Sequence, residues 1–287
     1  MTGAQFCPVG RLDKLLFATD RSPYSEGALQ ETLNFAGLCS SRLYAVSVVE
    51  TNPEYETTGA NFLEKEELEA MKYLNSIKEK AAQKGIVCET ILHSSMDASA
   101  AIVDEAREKN IDMIVLGRHG RKGLLKALMG EVVPKVIVHA PCKVLVVPKA
   151  ARIEYRTILV ATDGSGHSIA AVEEAINIAK RCGSRILALS SIRSDDELQR
   201  ATKNVNAVLE MAKKEGIEAE GLMPKGRSYD VIVETAGGRG VDLIIMGIPV
   251  KTTIDKIFTG SATEKVVGNA GCSVLIVKGE SSVSATV

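Results

Sequence analysis

Two stretches of this chain carry nearly the same sequence. Residues 112–147 align with residues 242–277 at a constant offset of 130, and many aligned positions are identical. Earlier in the chain the offset is 143, which matches Asp20 with Asp163. Chance does not produce such agreement, so the chain contains an internal duplication.

The duplication sets the domain organisation. A unit of about 140 residues is large enough to bury a hydrophobic core of its own. We therefore predict two domains, residues 1–150 and residues 151–287, separated by a short polar linker that follows Pro148.

The composition excludes several classes of partner. Lys plus Arg number 35 against 36 Asp plus Glu, so no long-range field attracts nucleic acid or an anionic membrane. The chain has no Trp and 4% aromatic residues, which disfavours a base-stacking surface. No apolar run reaches the roughly 18 residues of a membrane span, and the N-terminus lacks a signal-peptide core. We expect a cytoplasmic protein that binds neither nucleic acid nor membrane.

Short β-branched runs alternate with helical patterns in both halves, which is typical of a parallel sheet with crossover helices. The pattern predicts two doubly wound α/β domains, each with five strands. The predicted strands are 14–19, 43–49, 87–92, 112–116, 143–147, 157–162, 185–190, 219–223, 242–246 and 273–277. The helix stripes predicted to face the sheets include Ala28, Leu29, Leu33, Ala36, Met71, Leu74, Ile77 and Ala81 in the first half and Val172, Ala175, Leu198, Ala201, Val205 and Leu209 in the second.

Three sequence features should meet at the carboxyl ends of the strands, where ligands bind in such sheets. Asp20 follows strand one; it could accept from an amine or a ribose hydroxyl, or instead bond backbone N–H groups in a turn. Gly117 follows strand four, where it could let a phosphate approach the backbone or simply form a tight turn. Gly130 opens a further helix, whose free N–H groups suit an anion. Together they predict a phosphate-binding site.

The spacing of the glycines resembles a known family. The frame Gly-x2-Gly-x9-Gly followed by Ser or Thr, with a strand-one Asp and a strand-five Val-Leu-Val-Val, is similar to the universal stress protein family in its tandem form. The resemblance covers residues 13–278. It implies a strand order of 3-2-1-4-5 in each sheet. It also implies that the chain either binds AMP or ATP, with Mg²⁺ accompanying ATP alone, or has lost that ability.

The resemblance also implies which residues would bind the nucleotide. The strand-one Asp and the strand-two backbone would hold adenine or ribose, and the glycines would lie beneath the ribose and phosphates. In the first half the implied residues are Thr19, Asp20, Val48, Leu116, Gly117, His119, Gly120, Gly130, Glu131, Val132 and Val133. In the second half they are Asp163, Ser191, Gly247, Val250, Gly260, Ser261 and Thr263.

Each half departs from the family motif at one position. Glu131 stands where the motif has a small hydroxyl residue, and a carboxylate about 5 Å from a phosphate costs roughly 3 kcal/mol at an effective dielectric near 20. This cost predicts ATP binding weakened by about two decades. Alternatively, Glu131 could turn toward Arg118 or Arg121 and leave the backbone donors usable, so that AMP binding or an empty helix end stays an alternative. In the second half Val250 replaces a glycine, and a β-branched residue does not adopt a positive φ without strain. We therefore expect nucleotide to prefer the first half.

A basic cluster in the first half has two interpretations. Arg118, His119, Arg121 and Lys122 could clamp phosphates, or they could form a charged, solvated loop. No nucleophile or second carboxylate is linked to His119 by spacing. The His and Cys residues show no metal-ligand spacing. We expect neither a catalytic site nor a metal site. The sequence does not decide whether the chain hydrolyses ATP slowly.

Two functions remain open at this point. The preferred hypothesis is a non-enzymatic, stress-related adenine-nucleotide-binding protein that regulates an unidentified protein partner. The alternative is a ligand-free interaction or scaffold module whose nucleotide sites have decayed. An enzyme of the ATP-pyrophosphatase type would need a Ser-Gly-Gly-x-Asp-Ser loop after strand one, which this chain lacks.

The fifth strand of each half is an apolar sheet edge that needs cover. Single-domain proteins of the family that this chain resembles cover it by pairing two chains. We therefore expect residues 143–147 and 273–277 to pair within one chain as an intramolecular pseudo-dimer, and two such chains could associate as a homodimer.

Overall fold

The computed structural model describes residues 6–51, 60–118, 130–250 and 261–279, with side chains in the second range from residue 63 onward. The chain divides into two compact units. The first unit, Arg11–Ala150, is called the first domain below. The second unit, Ala151–Val287 together with Met1–Gly10, is called the second domain.

The first domain alternates strands and helices. Its strands are β1 (Lys14–Thr19), β2 (Arg42–Glu50), β3 (Cys88–Ser95), β4 (Met113–Arg118) and β5 (Lys143–Pro148). Its helices are α1 (Glu26–Cys39), α2 (Ala60–Gln83), α3 (Ala98–Glu108) and α4 (Val132–His139).

All strand pairs of the first domain are parallel, and their order is β3-β2-β1-β4-β5. Successive strands are added on opposite sides of β1, because β2 and β3 lie on one side of it while β4 and β5 lie on the other. This is the topological switch point at which doubly wound sheets bind ligands. The predicted doubly wound fold and strand order are confirmed.

The second domain repeats this arrangement. Its strands are β6 (Thr157–Ala161), β7 (Arg185–Leu189), β8 (Ala219–Leu222), β9 (Leu243–Pro249) and β10 (Ser273–Gly279), and its helices are α5 (Gly166–Cys182), α6 (Leu198–Lys214), α7 (Ser228–Gly238) and α8 (Ala262–Asn269). The parallel strands follow the order β8-β7-β6-β9-β10.

The cores lie between the sheets and their helices. Leu15, Leu16 and Phe17 of β1 are fully buried, as expected for a central strand that is covered on both faces. The predicted helix stripes are buried with three exceptions. Leu209 is half-buried, Met71 is 52% exposed, and Leu198 is 45% exposed.

The two exposed residues have different geometric reasons. On α2 the buried position is Ala70 rather than Met71, whereas Leu74, Ile77 and Ala81 are buried as predicted, so only the first position of that stripe is wrong. Leu198 is the first residue of α6, and a helix end can project beyond the sheet. A long apolar side chain in such a place remains in solvent, which is common at protein surfaces.

An aspartate at equivalent positions of the two domains accepts hydrogen bonds from the backbone at the start of the first strand. Asp112, which precedes β4, accepts hydrogen bonds from the backbone N–H groups of Asp13 and Lys14, each at 2.8 Å through Oδ2. Asp242 does the same for the backbone N–H groups of residues 155–157, at 2.9 to 3.1 Å. These bonds satisfy strand-end donors, which explains why aspartate stands at both equivalent positions.

Replacing Asp112 with Ala should therefore destabilise the protein by about 1–3 kcal/mol, since two backbone donors lose a charged acceptor. Asp104→Ala is the matched control, because Asp104 is exposed and makes only a surface ion pair with Arg107 at 2.9 Å. It should change stability by less than about 0.5 kcal/mol. Urea unfolding of the full chain measures both, and equal shifts for the two variants would contradict this role of Asp112.

Candidate functional site

The turn between β1 and α1, residues 19–25, is held by its own side chains. Thr19 Oγ1 lies 2.9 Å from Ser25 Oγ and accepts from the backbone N–H of Arg21 at 2.9 Å. Asp20 Oδ1 accepts from the backbone N–H of Ser22 at 3.0 Å. This network defines the shape of the turn at the switch point of the sheet.

The second domain builds the same turn over residues 162–168. Thr162 Oγ1 lies 3.3 Å from Ser168 Oγ and accepts from the N–H of Gly164 at 3.3 Å. Asp163 Oδ1 accepts from the N–H of Ser165 at 3.0 Å. Both strand-one aspartates thus make the hydrogen bond of a turn, which was the structural alternative to ligand binding.

The Asp163 carboxyl is ionised more readily than usual. Desolvation by burial alone would raise its pKa, but the hydrogen bonds from Ser165 and Ser168 and the charge of His167 together lower the pKa. A carboxyl with a lowered pKa stabilises the fold above its unfolded pKa, and this contribution is lost as the pH falls through the folded pKa. Asp163 is therefore a carboxylate at neutral pH.

The glycines of the fourth strands are explained by close packing. A Cβ on Gly117 would lie 2.7 Å from Ser25 Cα and 2.9 Å from the Tyr24 carbonyl oxygen. A Cβ on Gly247 would lie 1.9 Å from the His167 carbonyl oxygen. Gly117 belongs to β4, paired with Val147, and does not have a positive φ. The tight-turn alternative for Gly117 is therefore wrong, because Gly117 is part of the strand, and the residues just before α1 pack directly on its backbone.

A cavity of about 510 Å³ opens at this end of the first domain. Eight of the residues predicted from the sequence line it: Thr19, Asp20, Val48, Leu116, Gly117, Gly130, Val132 and Val133. The sequence did not indicate several others, among them Arg21, Tyr24, Glu50, Glu66, Ala98 and Ile102.

The backbone N–H and carbonyl groups of Val48 point from β2 toward β1, the side on which the cavity opens. The Arg42 N–H donates to the backbone carbonyl oxygen of Asp13, next to β1. The Leu43 N–H donates to the backbone carbonyl oxygen of Val87, next to β3. Backbone groups alternate sides along a strand, so those of Val48 face β1, as those of Arg42 do. Since β1 ends at Thr19, which is paired with Ser47, β2 extends past it. The Val48 N–H is used in the pairing of Thr19 with Ser47, so the Val48 carbonyl oxygen, beyond the end of β1, is the group that can accept a hydrogen bond from a planar ligand.

The start of α4 forms another part of the wall. Gly130, Val132 and Val133 line the cavity, so the first turn of this eight-residue helix is directed toward it. Glu131 is exposed, makes no side-chain cap bond and is not among the lining residues. Its carboxylate is therefore closer to solvent than the sequence suggested.

An ion pair lies at the β2 side of the same cavity. Arg21 Nη2 is 2.8 Å from Glu66 Oε2, and Arg21 Nη1 donates to the Glu66 carbonyl oxygen at 2.9 Å. Both side chains are less than a third exposed. Glu66 belongs to α2, so the pair links the turn after β1 to this helix.

The corresponding cavity of the second domain is about 190 Å³. Of the predicted residues, Asp163, Ser191, Gly247 and Thr263 line it. Ser191 Oγ and Ser228 Oγ are 2.7 Å apart and tie the end of β7 to the start of α7. The equivalent residues of the first domain, Val48 and Ala98, cannot form that bond.

The remaining predicted residues of the second domain lie elsewhere. Val250 is half exposed, donates its N–H to the Gly279 carbonyl at 3.0 Å and does not line the cavity. Ser261 caps α8 by accepting from the N–H of Glu264 at 3.1 Å, and it does not line the cavity either.

Part of the predicted site lies outside the described residues. This applies to His119, Gly120, Arg121, Lys122 and Gly260. Arg118 is the last residue of β4; it is buried and does not line the cavity, which does not favour the phosphate-clamp interpretation for this residue.

Two absences concern the described ranges alone. Within them, no group of three or more His, Cys, Asp or Glu side chains could hold a metal ion. No helix in these ranges is long and apolar enough to span a membrane.

Comparison with known proteins agrees with the repeat and the fold. The Universal stress protein family profile matches residues 11–148 and again residues 154–278. A universal stress protein of Methanocaldococcus jannaschii is 35% identical over 143 residues, which cover 43% of this chain and 82% of that protein. One from Synechocystis is 36% identical over 134 residues, covering 47% of this chain and 84% of that protein.

A solved structure shows the same fold. The crystal structure of a universal stress protein from Archaeoglobus fulgidus matches with a TM-score of 0.77 and 21% identity, covering 92% of this chain and 98% of the other. With the two profile matches, this chain belongs to the universal stress protein family, in the tandem form that carries two such domains.

Substitution of Gly117 should test the packing at the switch point. Gly117→Ala should destabilise the protein by about 1–3 kcal/mol, because the new methyl group meets backbone atoms that cannot move independently. Gly37→Ala, in α1 with nothing within 4 Å of the new Cβ, should instead stabilise by about 0.5–1 kcal/mol. Thermal unfolding of both variants measures the difference, and a neutral Gly117→Ala would refute the packing argument.

Proposed function

We propose that the first domain binds an adenine nucleotide and that the protein is a non-enzymatic regulator whose ligand biases its contacts with a partner protein. The observation that carries this proposal is the 510 Å³ cavity at the switch point. A volume between about 300 and 1,000 Å³ is usual for sites that enclose a small molecule. Family membership supports the same conclusion.

The two sides of the cavity suit different parts of a nucleotide. On the β4 side, the N-terminal turn of α4 offers backbone N–H groups and the positive end of a helix dipole, which favour phosphate. On the β2 side, Glu50 would repel phosphate and the charge of Arg21 is taken up by its ion pair with Glu66, while the Val48 backbone can bond a base. The phosphate therefore lies toward α4 and the adenine toward β2.

The anion-binding side favours a monophosphate such as AMP over ATP. Pro134 has no N–H, so the first turn of α4 supplies fewer donors than a helix without proline. Arg118 does not line the cavity, and Glu131 adds negative charge near its mouth. If ATP binds, Mg²⁺ would accompany it to neutralise the extra phosphates.

The described lining residues do not form a catalytic group. Thr19 and Ser25 bond to one another within the turn, and no histidine lies beside them among the residues that line the cavity. A hydroxyl nucleophile without an adjacent base is weak. A binding function therefore accounts for this arrangement better than hydrolysis does.

The second domain is proposed to hold no nucleotide. Its 190 Å³ cavity falls below the usual range for ligand sites, and the Ser191–Ser228 hydrogen bond ties together two elements that would border a base. This observation favours the ligand-free alternative for this domain alone. The second domain would then serve as a scaffold for the first.

Matched substitutions should locate the nucleotide. Ala98 and Ser228 are the first residues of α3 and α7 and line the two cavities. Ala98→Phe should abolish AMP binding because the ring occupies the larger cavity, whereas Ser228→Phe should leave it unchanged. Calorimetric titration with AMP measures both. Loss of binding in Ser228→Phe alone would place the nucleotide in the second domain.

Removal of Glu131 should have a modest effect that grows with ligand charge. Because Glu131 is exposed, the dielectric near it approaches that of water, and a phosphate about 5 Å away costs roughly 0.8 kcal/mol. Glu131→Ser should thus strengthen ATP binding about fourfold and AMP binding less. Glu108→Ser, at the far end of α3, removes the same charge as a control. A hundredfold gain would show that Glu131 turns into the cavity.

A further inference from the structure

We propose that Arg21 and Glu66 form a strap over the adenine and that the guanidinium plane of Arg21 stacks on the base. This inference rests on the proposed function of the first domain, and it assigns a binding role to two residues outside the family motif described above. It follows from the backbone of Arg21, from the bonds of its guanidinium and from a comparison of the two domains.

Arg21 occupies a backbone conformation that favours glycine. Its φ is +63°, and the equivalent residue of the second domain, Gly164, has a φ of +80°. The two turns make the same hydrogen bonds, so the turn itself does not require arginine. A non-glycine residue in this region is strained, and strained residues cluster at ligand sites. The side chain of Arg21 therefore contributes something that glycine cannot.

The Arg21 guanidinium bonds Glu66 through nitrogens at its edge, an arrangement in which a planar ligand can still approach its face. Nη1 bonds the Glu66 carbonyl oxygen and Nη2 bonds the Glu66 carboxylate, so one residue of α2 holds both terminal nitrogens. Because the carboxylate balances the charge, Arg21 does not act as a phosphate clamp. A planar guanidinium held at its edge can stack on an aromatic ring.

The strap lies at the side of the cavity assigned to the base. Arg21 and Glu66 line the cavity with Val48 and Glu50 of β2, on the opposite side of β1 from α4. The backbone of Val48 would bond the edge of the adenine, and Arg21 would cover its face. Edge and face contacts together would define a purine position.

The second domain shows what happens without the strap. A Cβ on Gly164 would lie 2.5 Å from Asn204 Oδ1 of α6, so this helix contacts the turn directly. In the first domain the Arg21 side chain spans from the turn to α2 instead. The cavity is about 510 Å³ with the strap and about 190 Å³ without it. Arg21 therefore serves also as a spacer that keeps the adenine position open.

The test compares adenosine with AMP in full-length protein. Arg21→Gly restores the residue that the backbone prefers, which offsets the loss of the ion pair with Glu66, so the variant should remain folded. It should bind adenosine and AMP about five- to tenfold more weakly, by the same factor for both, since the strap contacts the base. Arg21→Lys keeps the charge but loses the plane, and it should lose nearly as much. Ser40→Gly, which relieves a φ of +54° away from the cavity, is the control and should not change affinity.

Calorimetric titration separates the outcomes. If the wild type binds and Arg21→Gly binds equally well, the strap is rejected while the proposed function stands. If Arg21→Gly weakens AMP alone, or Arg21→Lys binds like the wild type, the guanidinium acts through its charge and the stacking is refuted. If the wild type binds neither ligand, the proposed function fails and the strap with it.

Discussion

The close approach of a helix start to the backbone of the fourth strand organises both domains. In the first domain Ser25 and Tyr24 lie against Gly117, and in the second His167 lies against Gly247, at distances that leave no room for a Cβ. This contact brings the turn after the first strand down onto the sheet at the switch point. The wall of each cavity is then formed by that turn, so cavity shape depends on an interaction that involves no ligand.

Duplication kept this framework while the cavities diverged. The main hydrogen bonds of the two turns correspond, including the contact between the threonine at the strand end and the serine that follows the turn. The differences lie in side chains placed on the framework. Arg21 reaches α2 where Gly164 allows α6 to approach, and an apolar Val48 stands where Ser191 bonds to Ser228. A few side chains are thus sufficient to account for one open and one restricted cavity.

The fold could be predicted from the sequence because hydrophobic periodicity is a local signal and because the two repeated halves can be compared directly. All ten strands form near their predicted positions, and Asp20, Val48 and Gly130 line the first cavity. The role of Gly117 could not be predicted, because a glycine required by packing and one required by a ligand look alike in sequence. The Arg21–Glu66 pair joins residues 45 positions apart, and no periodic pattern reports such contacts. The burial of Met71 was predicted wrongly because its neighbour Ala70 is also apolar, and the sequence does not show which of the two faces the sheet.

The central claim is that one domain of the pair keeps a nucleotide site and the other does not. The number of AMP molecules bound per chain tests this claim most directly, and native mass spectrometry of the full-length protein over a range of AMP concentrations measures that number. The account predicts saturation at one AMP per chain. Two bound molecules would show that the smaller cavity opens to accept a nucleotide, and none would show that both domains are ligand-free; either result would contradict the account.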